Sequence, residues 1–382
     1  MTKKLYDENA YLKEFDGTVV SCEEAKEGFK VRLDSTAFFP EEGGQSPDKG
    51  TLGDAEVTHV EIKGDEIYHY VSKPFKEGET LHGIIDWEHR FRNMQMHSAE
   101  HIFSGLVYSK FGFSNVGFHL SDNSATMDYD GKLTREDVRK LELEANRVIV
   151  SDRRIKAEYP GPEALAFLEY RSKKALSGPV RIVTVEDVDV CACCAPHVST
   201  TGQIGMLKII SVENYKSGVR INYLAGFRAL SDFESRIENL NDISKILSAK
   251  AGEEVSKVSK LNEDYNKLKF DYVALKNSLI ELNIKKEFTD KKDGKYICPS
   301  EDSQYMRFIM ESLRKVYPGT CVVLCGNEEE GYRYLIESSE KDLSGVSALL
   351  REKFGAKGGG RNGSIQGTVN CDSESVFALL DI

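Results

Sequence analysis

The sequence lacks long hydrophobic runs. No apolar stretch among the 382 residues approaches the ~20 that a membrane-spanning helix needs. The first residues, MTKKLYDENAYLKEFDG, also lack the apolar core and the small-residue cleavage site of a signal peptide. Internal repeats and low-complexity tracts are absent as well. These absences predict a cytoplasmic chain with no membrane partner, in a compartment where thiols stay reduced. The scattered cysteines are therefore expected to be small buried hydrophobic residues.

Positive charge is scarce relative to negative charge. The chain has 51 Lys and Arg against 62 Asp and Glu, a formal net charge of −11. Phosphate binding relies on counterion release by Lys and Arg, so this balance argues against a protein that coats nucleic acid. A local basic patch on an acidic protein stays compatible with it. Net charge alone therefore leaves the partner open.

Four successive patterns predict a multidomain α+β protein. Residues 1–90 contain short β-branched and aromatic runs separated by Gly, Asp and Pro, which predict a small N-terminal β-barrel. Residues 91–228 mix helical and strand patterns and predict an α+β domain. Residues 229–288 are long, charged and helical, whereas residues 289–382 predict a small C-terminal α/β domain.

The helical segment contains an apolar seam with alternating spacings of three and four residues. Its members are Val258, Leu261, Tyr265, Leu268, Tyr272, Leu275, Leu279 and Leu282. Because an exposed leucine stripe is unfavourable in water, the seam predicts packing against a partner helix. That partner is either a second chain, which gives a homodimer, or the other arm of an antiparallel hairpin. A solvated helical spacer is the remaining alternative.

Two pairs of metal-binding side chains lie far apart in the sequence. HSAEH places His97 and His101 four residues apart, on one face of a predicted helix. The strand-like run VRIVTVEDVDV leads into CACCAPH, which supplies Cys193 and His197. Three histidines and one cysteine suit Zn²⁺, and the pairs predict one zinc site assembled by folding. A redox pair lacks the usual thioredoxin context of a CxxC motif, and a reducing compartment disfavours a disulfide knot.

The number of ligands leaves the role of the zinc open. Four protein ligands are typical of a closed structural site. Catalysis needs either one displaceable ligand or a metal that acts by orienting the substrate.

Four motifs, in the same order along the chain, resemble parts of alanyl-tRNA synthetases. DSTAFFPEEGGQSPDKG is similar to the glycine-rich signature of the barrel domain, and HSAEH with CCAPHVSTTGQIG resembles the metal motifs of the editing domain. VRINYLAGFRAL resembles the end of that domain, and GAKGGGRNGSIQG the glycine-rich motif of the C-terminal domain. The barrel pattern begins at residue 1, where those synthetases have an aminoacylation core. The chain is therefore identified as a long-form member of the free-standing AlaX-type alanyl-tRNA editing proteins.

The resemblance implies a zinc-dependent hydrolase that removes serine, and glycine as a second error, from tRNA(Ala). It implies that Thr36 recognises the serine hydroxyl; a half-buried strand threonine is the alternative. Gln45 belongs to a glycine-rich run that either approaches the substrate end closely or forms a tight turn. Glu100 is a candidate general base or a supporting carboxylate. His119 is a candidate wall of the pocket or a structural residue.

The C-terminal glycine-rich motif is expected to contact tRNA phosphates through backbone N–H groups and two cations. The residues concerned are Lys357, Gly358, Gly359, Gly360 and Arg361. A flexible loop without a ligand is the alternative. The motif lacks the GKS/T ending of a nucleotide-binding P-loop, which predicts an activity independent of ATP.

The chain departs from the family pattern at several positions beside its motifs. Cys194, Ala195 and Pro196 replace Gly, Gly and Thr, and Glu42 occupies a position that is usually glycine. These differences leave the exact substrate open. Two other functions stay in view: a non-catalytic RNA-binding protein with a structural zinc, and editing of another mischarged tRNA such as Ser-tRNA(Thr).

Overall fold

The computed structural model describes residues 1–122, 124–172, 179–286 and 291–382. In these parts the chain forms two compact units, Met1–Asp242 and Ile243–Ile382. Both units contain helices and sheets, which confirms the predicted α+β class. The four predicted domains are a finer division and stay a prediction. Their boundary between 288 and 289 lies outside the described residues.

The first unit begins with a closed six-stranded barrel. The elements of this region are β1 (Lys3–Lys4), α1 (Leu5–Glu8), β2 (Glu14–Glu24), β3 (Phe29–Leu33), β4 (Ser35–Thr36), β5 (Gly50–Leu52), β6 (Ala55–Lys63), β7 (Glu66–Val71) and β8 (Thr80–Ile85). The barrel order is β2-β3-β7-β6-β5-β8, and β1 pairs with β4. Alternate residues of β7 point inward, as the period of a strand requires. Ile67, His69 and Val71 are the buried ones, so the barrel core includes a histidine.

Helix α2 (Trp87–Phe111) follows the barrel and carries the first predicted ligand pair. At its start Asp86 Oδ1 accepts a hydrogen bond from the backbone N–H of His89 (3.1 Å). It ends at Gly112, which has the left-handed φ of 70° expected of a helix-ending glycine. Every residue from 93 to 107 is buried. The helix is therefore enclosed on all sides, and its polar side chains need partners.

A buried ion pair connects the start of α2 to the barrel region. Arg90 and Asp48 are both fully buried, and Arg90 Nε donates to Asp48 Oδ1 (2.8 Å). The Arg90 guanidinium also donates to the carbonyl oxygens of Ala10 (3.0 Å) and Ala37 (2.6 Å). Phe39 N donates to Asp48 Oδ2 (2.5 Å). This network holds the helix against the segments that flank the barrel strands.

The rest of the first unit contains two sheets whose strands contact α2. Its elements are β9 (Asn115–Leu120), β10 (Ala125–Tyr129), α3 (Arg135–Val150), β11 (Ile155–Glu158), α4 (Pro162–Phe167), β12 (Ile182–Val185), β13 (Asp189–Ala192), β14 (Leu207–Tyr215), β15 (Gly218–Ala225) and α5 (Gly226–Leu247). The sheet orders are β14-β15-β10-β9 and β11-β12-β13. The run VRIVTVEDVDV, predicted as one strand, forms the β12–β13 hairpin because the chain turns at Asp187 (φ 55°).

The second unit contains a five-stranded sheet. Its elements are α6 (Glu254–Lys286), β16 (Gly294–Cys298), α7 (Met306–Arg314), β17 (Thr320–Asn327), β18 (Gly331–Ser338), α8 (Ser344–Phe354), β19 (Lys357–Arg361), β20 (Ser364–Val369) and α9 (Ser373–Ala378). The strand order is β16-β17-β18-β20-β19. Cys298 on β16 and Cys325 on β17 form a disulfide, so the prediction that all scattered cysteines are free thiols is wrong for this pair. Parallel pairing places the two residues side by side, which the sequence alone does not reveal.

The predicted seam lies on the exposed surface of α6. Its eight side chains, from Val258 to Leu282, are 49–71% exposed. The helix is continuous over the seam, and a break between α5 and α6 contains Gly252, as the sequence predicted. In the parts of the chain that the structure describes, no helix is both long and apolar enough to cross a bilayer.

Candidate metal centre

The four predicted metal ligands come together in the first unit. His97 and His101 lie one turn apart on α2, and Cys193 and His197 lie in the segment that follows β13. Each offers one donor atom, and the four donor atoms lie within 4.8 Å of one another. The guanidinium of Arg181 holds the second pair in place by donating to the carbonyl oxygen of Cys193 (3.0 Å). Folding thus unites two pairs that are separate in the sequence.

Each of the three histidines is oriented by a hydrogen bond at Nδ1. The partners are Gln45 Oε1 for His97 (2.8 Å), Asp189 Oδ2 for His101 (2.9 Å) and Ser98 Oγ for His197 (2.9 Å). An imidazole that donates from Nδ1 presents a lone pair at Nε2 when it is neutral. Cys193 Sγ lies 3.6 Å from Nε2 of His97 and 3.4 Å from Nε2 of His197. The ring orientations therefore direct the donor atoms toward one point.

The surroundings favour the metal-binding forms of Cys193 and His197, through the neighbouring histidines at Cys193 and through burial at His197. Burial opposes ionisation of the Cys193 thiol, but the neighbouring histidines outweigh it and hold its pKa well below the usual range. Burial lowers the pKa of His197 to about 3, so this imidazole is neutral at physiological pH. A thiolate and neutral imidazoles are the forms that bind transition metals. In the chemistry and number of donors, the set fits Zn²⁺.

Asp189 and Arg171 support the centre from behind His101. Arg171 donates from Nε and Nη2 to the two Asp189 oxygens (2.7 and 2.8 Å), while Asp189 Oδ2 accepts from His101. Burial would raise the pKa of Asp189, but the bonds from His101 and Arg171 outweigh it and lower that pKa. A carboxylate behind a metal-binding imidazole fixes the ring and makes it more basic. Sequence reasoning missed both residues, since no short spacing links them to the ligand motifs.

Gln45 and Glu100, both predicted from the sequence, border the centre. Gln45 uses Oε1 on a ligand histidine, while its Nε2 is buried without a hydrogen-bond partner in the described part of the chain. Glu100 is buried, and its Oε1 accepts from Ser104 Oγ (2.7 Å) and Asn115 Nδ2. Glu100 Oε2 lies 3.9 Å from His101 Nε2. Both side chains therefore present a polar atom close to the donor set.

Thr36 lies in the barrel region, with its hydroxyl engaged by barrel residues. Thr36 Oγ1 is 2.8 Å from His69 Nε2 and accepts from Phe38 N (3.1 Å). His69 Nδ1 contacts the carbonyl oxygen of Val31 (3.2 Å), which can only accept. Burial lowers the pKa of His69 to about 4, so the neutral ring accepts at Nε2. The hydroxyl hydrogen of Thr36 is therefore directed at His69.

His119 lies outside the centre. It is exposed on β9, opposite Thr126 of β10. Neighbouring residues on a strand point to opposite faces, so Phe118 takes the position that was predicted for His119. The Phe118 ring lies 4.5 Å from the ring of His97, centroid to centroid. The structure thus places Phe118, rather than His119, next to the candidate centre, and a role of His119 as a pocket wall stays a prediction.

The five predicted tRNA-contact residues form an edge strand in the second unit. Lys357, Gly358, Gly359, Gly360 and Arg361 constitute β19, which pairs with β20, so the loop alternative is wrong. Two cavities of about 540 and 530 Å³ adjoin this strand and share Ser303, Arg333 and Thr368 as lining residues. Lys357 lines one cavity, and Gly358 and Gly359 line the other. The strand therefore borders two polar cavities, both lined in part by basic side chains.

Comparison with known proteins connects this centre to tRNA synthetases and editing proteins. Residues 180–222 match the family described as threonyl and alanyl tRNA synthetase second additional domain. The chain is 28% identical to alanyl-tRNA editing protein Aarsd1 of Danio rerio, with 95% of this chain and 92% of the relative aligned. It is 26% identical to alanyl-tRNA editing protein AlaX-L of Pyrococcus horikoshii, with 99% of this chain and 97% of the relative aligned. It is 30% identical to an alanine–tRNA ligase of Ignicoccus hospitalis, but it spans only 42% of that ligase.

Proposed function

The chain belongs to the AlaX-type alanyl-tRNA editing proteins, and on this premise we propose that it hydrolyses the ester between tRNA(Ala) and a wrongly attached serine, with glycine as a second substrate. The observation that carries the proposal is the convergence of three imidazoles and one thiol beside buried polar atoms that have no hydrogen-bond partner among the described residues. Such a centre suits attack on an ester carbonyl, and the editing relatives supply the class of substrate.

We propose Zn²⁺ as the metal, held by His97, His101, Cys193 and His197. When bound, the ion would supply Lewis-acid chemistry, which polarises a carbonyl oxygen or lowers the pKa of bound water. The residues behind the ligands fix their geometry. Asp189 adds a negative charge behind His101, whereas the partners of the other two histidines are neutral. The three rings are thus held before any ligand arrives.

Gln45 is proposed as a hydrogen-bond donor to the substrate. Its Oε1 holds His97, and this contact fixes the amide so that Nε2 is left as a buried donor. A donor that is aimed at an ester oxygen stabilises the negative charge that develops there during attack. Removal of one such donor typically lowers kcat by about a hundredfold to a thousandfold. Gln45 would therefore act on both the metal centre and the substrate.

Glu100 and Thr36 keep the roles given by the family resemblance as proposals. Glu100 Oε2 faces His101, where it can take up a proton from attacking water, and the same contact also fits a carboxylate that only supports the ligand.

Recognition of a serine hydroxyl by Thr36 would use the remaining lone pair of Oγ1, because the hydroxyl hydrogen of Thr36 is directed at His69. A hydroxyl-binding site discriminates far better than an apolar pocket.

Hydrolysis of four charged tRNAs tests the function. Full-length protein is incubated with Ser-tRNA(Ala), Gly-tRNA(Ala), Ala-tRNA(Ala) and Ser-tRNA(Thr), and loss of the ester is followed over time. We expect kcat/KM for Ser-tRNA(Ala) to exceed that for Ala-tRNA(Ala) by at least about a hundredfold. A site that hydrogen-bonds the serine hydroxyl disfavours the alanine ester, because that ester lacks the hydroxyl. Binding without hydrolysis would favour the structural-zinc alternative. A preference for Ser-tRNA(Thr) would favour editing of that tRNA.

The edge strand β19 is proposed to bind tRNA phosphates through the second unit, whereas the proposed chemistry belongs to the first unit. Replacing Lys357 and Arg361 with Ala should raise KM for Ser-tRNA(Ala) about tenfold while kcat stays within about twofold. Contacts to phosphates that take no part in the reaction stabilise substrate and transition state alike, which changes KM rather than kcat. The control pair is Arg139 and Lys140, which are exposed on α3 and carry the same charge. An equal rise in KM for the control would indicate a general charge effect.

A homodimer through the helical segment is also proposed. The seam on α6 is exposed in the chain, and an apolar stripe of this kind is unfavourable in water. A second copy would cover it with the matching seam, as in a coiled coil.

A further inference from the structure

The glycine-rich turn from Glu42 to Gln45 lies against the candidate metal centre at both of its ends. Gln45 contacts His97 through its side chain, and its backbone N–H donates to the carbonyl oxygen of Glu42 (3.1 Å). A Cβ on Gly43 would lie 3.2 Å from Cys194 Sγ, next in the chain to the ligand cysteine. Glu42 is therefore carried on a short turn that rests on both halves of the centre.

The Glu42 carboxylate lies beside Cys194. Burial raises the pKa of the Cys194 thiol, and it is raised further by the charges of Cys193 and Glu42 and by a hydrogen bond between the thiol and the Glu42 carboxylate. The charge of the same carboxylate raises the pKa of Tyr6, whose hydroxyl is also buried without a hydrogen-bond partner among the described residues. Glu42 and Tyr6 thus face a common region next to the donor set.

One oxygen of Glu42 has no partner in the described parts of the chain. Glu42 Oε2 is buried and accepts no hydrogen bond there. The charge of Asp7 also raises the pKa of Tyr6, but both Asp7 oxygens have partners, unlike those of Glu42. One lies 3.3 Å from Arg181 Nε, and the other accepts from the Tyr159 hydroxyl (2.9 Å). A buried carboxylate oxygen without a donor is unfavourable unless a ligand supplies one. A hydrogen-bond donor on a bound ligand would satisfy this oxygen.

The substrate class of the proposed function has such a donor. An aminoacyl ester carries an α-ammonium group on the carbon next to its carbonyl. The turn offers a complementary pair of atoms, an acceptor at Glu42 Oε2 and a donor at Gln45 Nε2. Both are buried, and neither has a hydrogen-bond partner within the part of the chain that the structure describes.

We propose that Glu42 binds the α-ammonium group of the aminoacyl ester and so restricts hydrolysis to esters with a free amino group. This inference rests on the proposed function. Glu42 stands where the resembling family usually has glycine, so the contact is a property of this chain rather than of the motif. Esters that lack the positive charge, such as α-hydroxy acid esters, would leave the carboxylate unpaired and bind poorly.

Two substrates that differ only at the α position test this proposal. Ser-tRNA(Ala) is compared with its α-hydroxy analogue, which nitrous acid deamination of the same charged tRNA produces. Wild-type protein should favour the ammonium substrate by about tenfold to a hundredfold in kcat/KM, as expected for a charge-assisted hydrogen bond. Glu42→Gln should lower kcat/KM for Ser-tRNA(Ala) by that factor and leave the analogue nearly unchanged. Glu42→Asp should keep part of the preference.

Glu41→Gln is the matched control. Glu41 precedes Glu42 and carries the same charge, but its side chain is 65% exposed. We expect this variant to behave as wild type on both substrates.

Three results would overturn the proposal. An equal decrease in kcat/KM for both substrates in Glu42→Gln would mean that the carboxylate contacts the attacking water or the ester, or that it stabilises the fold. Thermal unfolding and metal content distinguish an effect on the fold from the other two. No effect on either substrate would mean that Glu42 makes no contact. If wild-type protein hydrolyses neither substrate, the proposed function itself fails and takes this inference with it.

Discussion

Replacing Cys193 with Ala is expected to remove the bound metal, about one Zn²⁺ per chain, and to lower hydrolysis of Ser-tRNA(Ala) about a thousandfold. The thiolate is the only anionic donor of the set, and its loss leaves three imidazoles that bind zinc far more weakly. A thousandfold decrease corresponds to about 4 kcal/mol of transition-state stabilisation, within the range expected for Lewis-acid catalysis. Metal content by mass spectrometry and single-turnover deacylation measure the two effects together.

The control for this experiment is Cys371→Ala, because Cys371 is a half-buried free thiol in the second unit. It should retain both metal and activity. His97→Ala is expected to repeat the double loss. A fully active protein without metal would contradict the zinc proposal. Retention of the metal in Cys193→Ala with activity lost would assign the thiol a different role.

Arg90→Met is expected to lower the free energy of unfolding of the first unit by about 3–5 kcal/mol. The substitution leaves the Asp48 carboxylate buried without its cation, and removal of one partner of a buried pair typically has this effect. The carbonyl oxygens of Ala10 and Ala37 lose a donor as well. Fluorescence of Trp87, the only tryptophan in the chain, follows unfolding in denaturant close to the altered position.

Arg236→Met provides the comparison for Arg90→Met. Arg236 forms an exposed i, i+4 ion pair with Asp232 on α5, and such pairs contribute about 0.5 kcal/mol or less. A loss below about 1 kcal/mol for Arg90→Met would show that the network contributes little. Metal content should fall with stability, because α2 carries two of the ligands.

The ligand set could be predicted from the sequence because its signal is local. His97 and His101 are four residues apart on a helix whose capping residues are recognisable, and Cys193 and His197 are equally close together. Each pair can be predicted from its own short segment alone, without knowledge of the rest of the fold. The union of the two pairs then follows from the demand of a metal for four donors.

The supporting residues could not be predicted because their partners are distant and their chemistry is common. Asp189 contacts Arg171 and His101 only after β13 has folded against α2. Arg90 and Asp48 are charged residues, which are expected at the surface unless the partner is known. The exposed position of His119 could not be predicted for a different reason: a shift of one residue along a strand reverses the face. Long-range pairing and strand register therefore limited the prediction.

The glycine edge strand also has a consequence for the solution behaviour of the chain. An edge strand offers unpaired backbone groups to any other sheet edge, and the three glycines of β19 have no side chains to obstruct such pairing. Lys357 and Arg361 flank these glycines and are exposed, and charges at such positions oppose edge-to-edge association. The two cations proposed to bind phosphate would thus also keep copies of the protein from aggregating through their sheets. Solubility and tRNA affinity would then depend on the same two side chains, so that neither property could change without the other.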